Sequence, residues 1–193
     1  MTELAELVAR LRAVQTEILR LRPFRDIGLV PNPGASAEAI SAAEARLGVA
    51  LPPSYRAFLR AYDGWPRCFD GASLLGTACL GNRTYEDFAR AAFAAAETPE
   101  PEFAPHVRDR QFPRVIPFGV DLQSTTLFAF NPRVRDANGE YEVIAWVNEL
   151  GMRRDSFPSF LEMLIELCDC ELEGHQALAT QPAVAQPALL RAG

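Results

Sequence analysis

The chain has 193 residues, of which 49% are hydrophobic and 23% charged, a composition typical of one globular domain with short appendages. All 19 basic residues are arginine, so a lysine-dependent phosphate-binding loop and Schiff-base chemistry are both excluded. The net charge of −6 argues against a general nucleic-acid-binding protein, which must neutralise phosphates, and suits a basic protein partner.

The sequence lacks targeting, metal-binding and disulfide signals. No apolar run reaches the about 18 residues that a membrane span needs, and the first six residues carry acids where a secretory signal carries bases. The four cysteines do not have the spacing of a zinc site. Cys168 and Cys170 fall in a helical pattern, where positions two apart face different sides. We therefore expect a cytoplasmic protein with no membrane contact, metal or cofactor.

Three helices are predicted in the first third of the chain. Apolar residues recur there at spacings of three and four, which indicates helices with one buried face. Ser36 offers an N-cap hydroxyl for the second helix and Gly48 a C-terminal stop. Pro53 is well placed to open the third helix. The predicted spans, in chain order, are residues 2–22, 36–48 and 53–64.

Short strands and two further helices are predicted after residue 70. Asn82 or Thr84 caps a helix that fades near residue 98, and Ser156 caps the final helix. The Asn138-Gly139 turn joins the two strands around it as an antiparallel pair. Runs of β-branched and aromatic residues between turn signals mark the strands. The predicted strands are residues 74–76, 115–118, 126–130, 141–147 and, as a short edge strand, 152–155.

This order of elements indicates the fold class. Helices, then an antiparallel meander, then a helix are typical of an α+β domain with an antiparallel or mixed curved sheet flanked by helices. After Gly174 the composition turns to Ala, Pro and Gln, which predicts a disordered tail. We divide the chain into an N-terminal amphipathic helix over residues 1–22, the main domain over 23–173 and the tail over 174–193.

The sequence contains no recognisable catalytic motif. The two histidines, His106 and His175, have no serine or cysteine beside them in a nucleophile context. Neither a Gly-x-Ser-x-Gly nor a His-Glu-x-x-His stretch is present. We therefore predict no catalytic residues, and an enzyme acting on a small molecule is only the third hypothesis for this chain.

The ordered set of motifs resembles the SUKH superfamily, which includes yeast Smi/Knr-like cell-wall regulators and bacterial toxin-immunity proteins. The resemblance covers about residues 24–173. Leu122 to Thr125 depart from the family pattern, as do the insertion around residues 98–110 and the long first helix, and these departures bear on partner identity. The stretches that carry the resemblance are Leu51-Pro52-Pro53-Ser54-Tyr55, Tyr62-Asp63-Gly64, Ile116-Pro117-Phe118-Gly119-Val120-Asp121 and Ser156-Phe157-Pro158-Ser159-Phe160-Leu161.

The resemblance implies a protein that works by binding rather than by catalysis. Our leading hypothesis is an immunity protein that neutralises a basic toxin domain by direct contact, and the alternative is a non-toxin scaffold of the same fold. A tryptophan on a loop is a common binding hot spot, and acids beside strands suit a basic partner. The partner-binding candidates are Trp65, Asp70, Asp121, Glu140, Glu142 and Glu149.

Overall fold

The computed structural model describes residues 3–96, 115–121, 126–147 and 150–180. Within these ranges the chain forms five helices and six strands. The helices are α1 (Glu3–Leu21), α2 (Ala37–Leu47), α3 (Pro53–Ala61), α4 (Arg83–Ala96) and α5 (Phe157–Thr180). The strands are β1 (Trp65–Phe69), β2 (Ala72–Leu74), β3 (Ile116–Val120), β4 (Leu127–Arg135), β5 (Tyr141–Val147) and β6 (Leu150–Arg154).

The six strands form one open sheet in the order β1-β2-β3-β4-β5-β6, and every neighbouring pair is antiparallel. The predicted α+β class is therefore confirmed, with an antiparallel rather than a mixed sheet. The Asn138-Gly139 turn joins β4 to β5 as predicted, and Gly139 has the positive φ of 90° that such a turn needs. Each strand pairs with its sequence neighbour, so the sheet is a simple meander.

The core lies between the sheet and a layer of helices. The phenol of Tyr55 is buried and donates a hydrogen bond to the Leu75 carbonyl at 2.6 Å. The rings of Phe118 and Phe130 stack with their centroids 4.1 Å apart, and Phe157 meets Tyr55 edge-on at 4.9 Å. Because these aromatic pairs join α3, β3, β4 and α5, they hold the helical layer onto the middle of the sheet.

The N-terminal helix is an integral part of the domain. Its apolar face is buried, and α1 packs along α5. Gln15, in the middle of that face, is fully buried and donates its side-chain amide to the carbonyl of Cys68 in β1. At the end of α1, Arg22 contacts the ring of His175, with 3.2 Å between Nη1 and Nε2.

The first hairpin, β1-β2, was not predicted as a hairpin. The sequence places Trp65 on a loop and predicts a strand only at residues 74–76, whereas β2 spans Ala72–Leu74 and pairs with β1. Two features explain why the sequence analysis did not predict β1. Pro66 interrupts the strand pattern, and Arg67 and Asp70 both have positive φ, at 51° and 44°. The irregular register of β1 against β2 has the same origin.

The final helix is longer than predicted. α5 continues through Gly174 to Thr180, so the domain boundary that the sequence places at Glu173 falls inside the helix. A glycine in an exposed helix interior costs only about 1 kcal/mol, and the alanine and leucine residues after it are good helix formers. Residues 181–193 of the predicted tail lie outside the described residues.

Candidate functional site

The stretch Tyr62-Asp63-Gly64-Trp65 has a structural role in the domain. The Asp63 carboxylate accepts hydrogen bonds from the backbone N–H of Thr77 at 2.5 Å and from its hydroxyl at 3.0 Å. Gly64 has a φ of 87°, and a Cβ there would lie 2.6 Å from the Gly76 nitrogen and 2.8 Å from the Leu74 carbonyl oxygen. Only glycine fits such a backbone approach. The motif therefore joins the end of α3 to the segment after β2.

Trp65 lies in β1 and is fully buried. Its indole N–H donates a hydrogen bond to the Gly28 carbonyl at 2.6 Å, so the ring anchors the α1–α2 connection against the sheet. The sequence predicts Trp65 on a loop at a helix end, and the structure instead places it in a strand. A ring with no exposed surface contacts no partner, so Trp65 leaves the set of partner-binding candidates.

Asp70 and Asp121 lie together at one end of the sheet. Asp70 and Gly71 form the β1–β2 turn, and a Cβ built on Gly71 would lie 3.2 Å from Asp121 Oδ2 and 3.5 Å from Asp26 Oδ2. Asp70 is already engaged, because Arg25 donates to its carboxylate at 2.8 Å and to Glu171 at 2.9 Å. The sequence predicted Asp70 and Asp121 individually, and the antiparallel meander brings them to the same end of the sheet.

Glu140 and Glu142 lie at the opposite end of the sheet and hold structural contacts. The Glu140 carboxylate accepts hydrogen bonds from the backbone N–H of Ser54 at 2.8 Å and from its hydroxyl at 2.6 Å, which caps α3. Glu142 accepts from Arg153 at 2.9 Å and from the Asn131 amide at 2.8 Å. Both acids are partly buried, and both carboxylates accept hydrogen bonds from other elements of the domain.

The predicted candidates thus do not form one surface. Asp70 and Asp121 stand at one end of the sheet, Glu140 and Glu142 stand at the other, and Trp65 is in the core. Glu149 lies outside the described residues. The four described acids remain candidates by charge, but three of them already have an ion pair or capping hydrogen bonds within the domain.

Sequence reasoning overlooked an acidic surface on the last helix, which we call the acidic face of α5. Its members are exposed, and their spacing of four, three and four residues places them within a narrow arc of the helix over a length of about 16 Å. Among the acids of α5 that the structure describes, only Glu171 forms an ion pair, with Arg25 and close to His175. The acidic face consists of Glu162, Glu166, Asp169 and Glu173.

The acidic face of α5 opposes helix stability. Like charges four residues apart destabilise a helix by about 0.2–0.5 kcal/mol per pair, and two such pairs occur, Glu162 with Glu166 and Asp169 with Glu173. The helix tolerates them because its other side is anchored by buried Phe160, Leu161 and Leu164. The spacing is visible in the sequence, and the missed signal is that four charges of one sign follow one helical face without an intervening base.

The cysteines differ in burial, and we expect their reactivity to differ accordingly. Burial raises the pKa of the Cys68 thiol to about 12 and that of Cys168 to about 12, whereas Cys170 is exposed. The thiolate is the reactive form. At pH 8 we expect iodoacetamide to modify Cys170 within minutes and to leave Cys68 and Cys168 unmodified in the folded protein. Peptide mass spectrometry after timed labelling measures this, and equal labelling of Cys68 and Cys170 would contradict the burial.

The described residues contain neither a metal centre nor a membrane span. No group of three or more His, Cys, Asp or Glu side chains in this part of the chain could hold a metal ion. No helix of the described ranges is long and apolar enough to cross a bilayer.

Fold and surface together define an α+β domain with an open antiparallel meander and an acidic helix on its exterior. The model of the SMI1 / KNR4 family (SUKH-1) matches residues 34–166 of the chain. The chain belongs to this family, and the match confirms the resemblance inferred from the sequence motifs. The match begins after α1 and ends within α5. A search of curated proteins finds no match to this chain.

Proposed function

We propose that this chain is an immunity protein that binds a cognate toxin domain and neutralises it by direct contact. The family to which it belongs includes immunity proteins that act through protein–protein interaction. Family membership therefore supports a binding role, and the surface of this chain indicates the kind of partner. The observation that carries the proposal furthest is the acidic face of α5.

The acidic face suits a basic partner for electrostatic reasons. Four exposed carboxylates on one helix face, in a chain with a net charge of −6, create a negative potential that speeds the approach of a positive surface. A toxin that acts on nucleic acid carries such a positive surface, because it must bind phosphates. An immunity protein that covers this surface would exclude the substrate.

We keep Asp70 and Asp121 in the proposal as a second, smaller set of acids, separate from the acidic face of α5. Arg25 pairs Asp70 with Glu171, which lies two positions from Asp169 and from Glu173 and therefore faces the other side of α5. Glu140 and Glu142 take no part in the proposed contact, since they stand at the other end of the sheet. The proposal thus keeps two of the acids predicted from sequence and adds four from α5.

Survival of cells that express the adjacent gene, whose product we expect to be the toxin, tests the proposal. We expect the toxin alone to kill, co-expression of this protein to restore growth, and a complex of the two proteins to be recovered from the surviving cells. Its affinity should fall as salt rises from about 50 to 500 mM, because salt screens charge contacts between surfaces. A harmless neighbour, or killing that this protein does not relieve, would favour a scaffold that binds another cellular protein.

A further inference from the structure

The two edges of the sheet differ in how they are protected. At one edge β1 is covered by the α1–α2 connection, because Gly28 donates to the Arg67 carbonyl at 2.7 Å and Gly71 donates to the Asp26 carbonyl at 2.9 Å. Pro66 and the left-handed Arg67 interrupt the same edge. These are devices by which proteins prevent strand addition. The β1 edge is closed to another strand.

At the other edge, β6 is regular and uncovered among the described residues. All five of its residues pair with β5 in an unbroken register, from Leu150 opposite Val147 to Arg154 opposite Val143. No bulge or proline interrupts it, and no backbone group outside β5 in the described ranges bonds to it. A regular uncovered edge is a template for another strand.

One contact shows which backbone groups of β6 point outward. The guanidinium of Arg154 donates to the Arg153 carbonyl at 2.8 Å, so this carbonyl is accessible on the outer side of the strand. In an antiparallel ladder the N–H and C=O of one residue point to the same side, and the side alternates along the strand. The outward groups of β6 therefore belong to Gly151 and Arg153, while Leu150, Met152 and Arg154 bond to β5.

We propose that β6 is a self-association edge, at which two copies of this chain pair antiparallel with Met152 of each at the two-fold axis. Gly151 of one copy then lies opposite Arg153 of the other, and the outward groups of both residues form four hydrogen bonds across the axis. Shifting the register by one step of two residues either places the two Arg153 side chains opposite each other or leaves Arg153 without a partner in β6. Either shift keeps only two of the four hydrogen bonds within β6, so the lost hydrogen bonds select this register.

The side chains beside the axis fit the same register. Gly151 leaves space above β6, and the Trp146 ring leans into it, with Cζ3 only 3.0 Å from where a Cβ of Gly151 would lie. Arg153 of the second copy lies opposite Gly151 on this face, where its guanidinium meets the Trp146 ring. Arg153 of each copy is paired with Glu142 of the same copy at 2.9 Å, so the dimer contact does not bring two uncompensated arginine charges together.

Sedimentation equilibrium of the full chain between about 10 and 500 µM tests the proposal, because a contact of this size is weak. We expect a monomer at the low end and a growing dimer fraction at the high end. Gly151→Pro removes one outward donor of each copy without removing a β5 bond, and we expect it to lower the association constant at least tenfold. Wild-type protein that stays monomeric at about 500 µM would overturn the proposal.

Gly151→Arg and Gly151→Glu form a pair of opposite charge, because any side chain at this position displaces the Trp146 ring and these two carry opposite charges. Gly151→Arg faces Arg153 of the second copy and should weaken dimerisation several-fold, whereas Gly151→Glu faces the same arginine with the opposite charge and should retain or strengthen it. Thermal unfolding confirms that each variant is folded. Equal association of both variants, or a dimer that survives Gly151→Pro, would place self-association on another surface. The test involves no toxin, so its outcome is independent of the proposed immunity function.

Discussion

Replacing Trp65 by alanine is expected to lower the free energy of unfolding by about 3–5 kcal/mol, the usual range for a fully buried large aromatic residue. The ring has no exposed surface, and its indole N–H is the donor to the Gly28 carbonyl. Alanine leaves a cavity and an unsatisfied carbonyl at once. Urea unfolding at pH 7, followed by circular dichroism, measures the change.

Trp146 provides the matched control for this prediction. It is the other tryptophan of the chain, it is half-buried, and it lies over Gly151 near the β6 edge. Because Trp146→Ala removes less buried area, we expect less than half the loss seen with Trp65→Ala. Equal losses, or a fully stable Trp65→Ala variant, would place Trp65 on the surface and restore it as a partner-binding candidate.

Neutralising the acidic face of α5 is the prediction with the largest expected effect on function. If each carboxylate contributes about 0.5 kcal/mol to toxin binding, loss of all four weakens the complex by about 2 kcal/mol, or roughly 30-fold in Kd. Most of the change should lie in the association rate, since surface charges act chiefly by steering. Isothermal titration and stopped-flow mixing with the toxin domain measure both. The variant combines Glu162→Gln, Glu166→Gln, Asp169→Asn and Glu173→Gln.

A variant with the same change in net charge separates surface position from total charge. It removes four exposed acids that are not members of the acidic face, and its affinity should stay within about threefold of wild type. The α5 variant should be no less stable than wild type, because the substitutions relieve like-charge repulsion along the helix. Equal weakening by both variants would mean that total charge alone governs binding. The control combines Glu3→Gln, Glu6→Gln, Glu86→Gln and Asp155→Asn.

The sequence predicted best those elements whose ends are set by local chemistry. The Ser36 hydroxyl accepts from the Ala39 N–H at 3.2 Å, and Gly48 ends α2 in the left-handed conformation at φ 69°. Both signals act within one helical turn and need no tertiary partner. The strand at residues 141–147 was predicted with its observed bounds, since turn residues flank its run of β-branched and aromatic side chains.

The sequence could not show which candidate residues are exposed and unpaired, because exposure and pairing depend on distant residues. Asp70 is paired with Arg25, which is 45 positions earlier in the chain, and Glu140 caps a helix 86 positions earlier. Glu171 and Glu173 lie two positions apart, yet Glu171 is bound by Arg25 and Glu173 is exposed. Composition indicates that acids exist, and only their three-dimensional neighbours decide which ones are available to a partner.

The sequence by itself therefore determined the class of fold, the family, the helix caps and an acidic chain without lysine. Periodicity, turn residues and charge are properties of short stretches of sequence, so they do not depend on how distant parts of the chain pack together. Only the tertiary structure decided that Trp65 lies in the core and that the acids of the sheet divide between its two ends. Within the ranges that the structure describes, it also decided that β1 is covered while β6 is not, and that the four carboxylates on one face of α5 form no ion pair. These features depend on which surfaces meet, because burial and ion pairing join residues that the sequence keeps far apart.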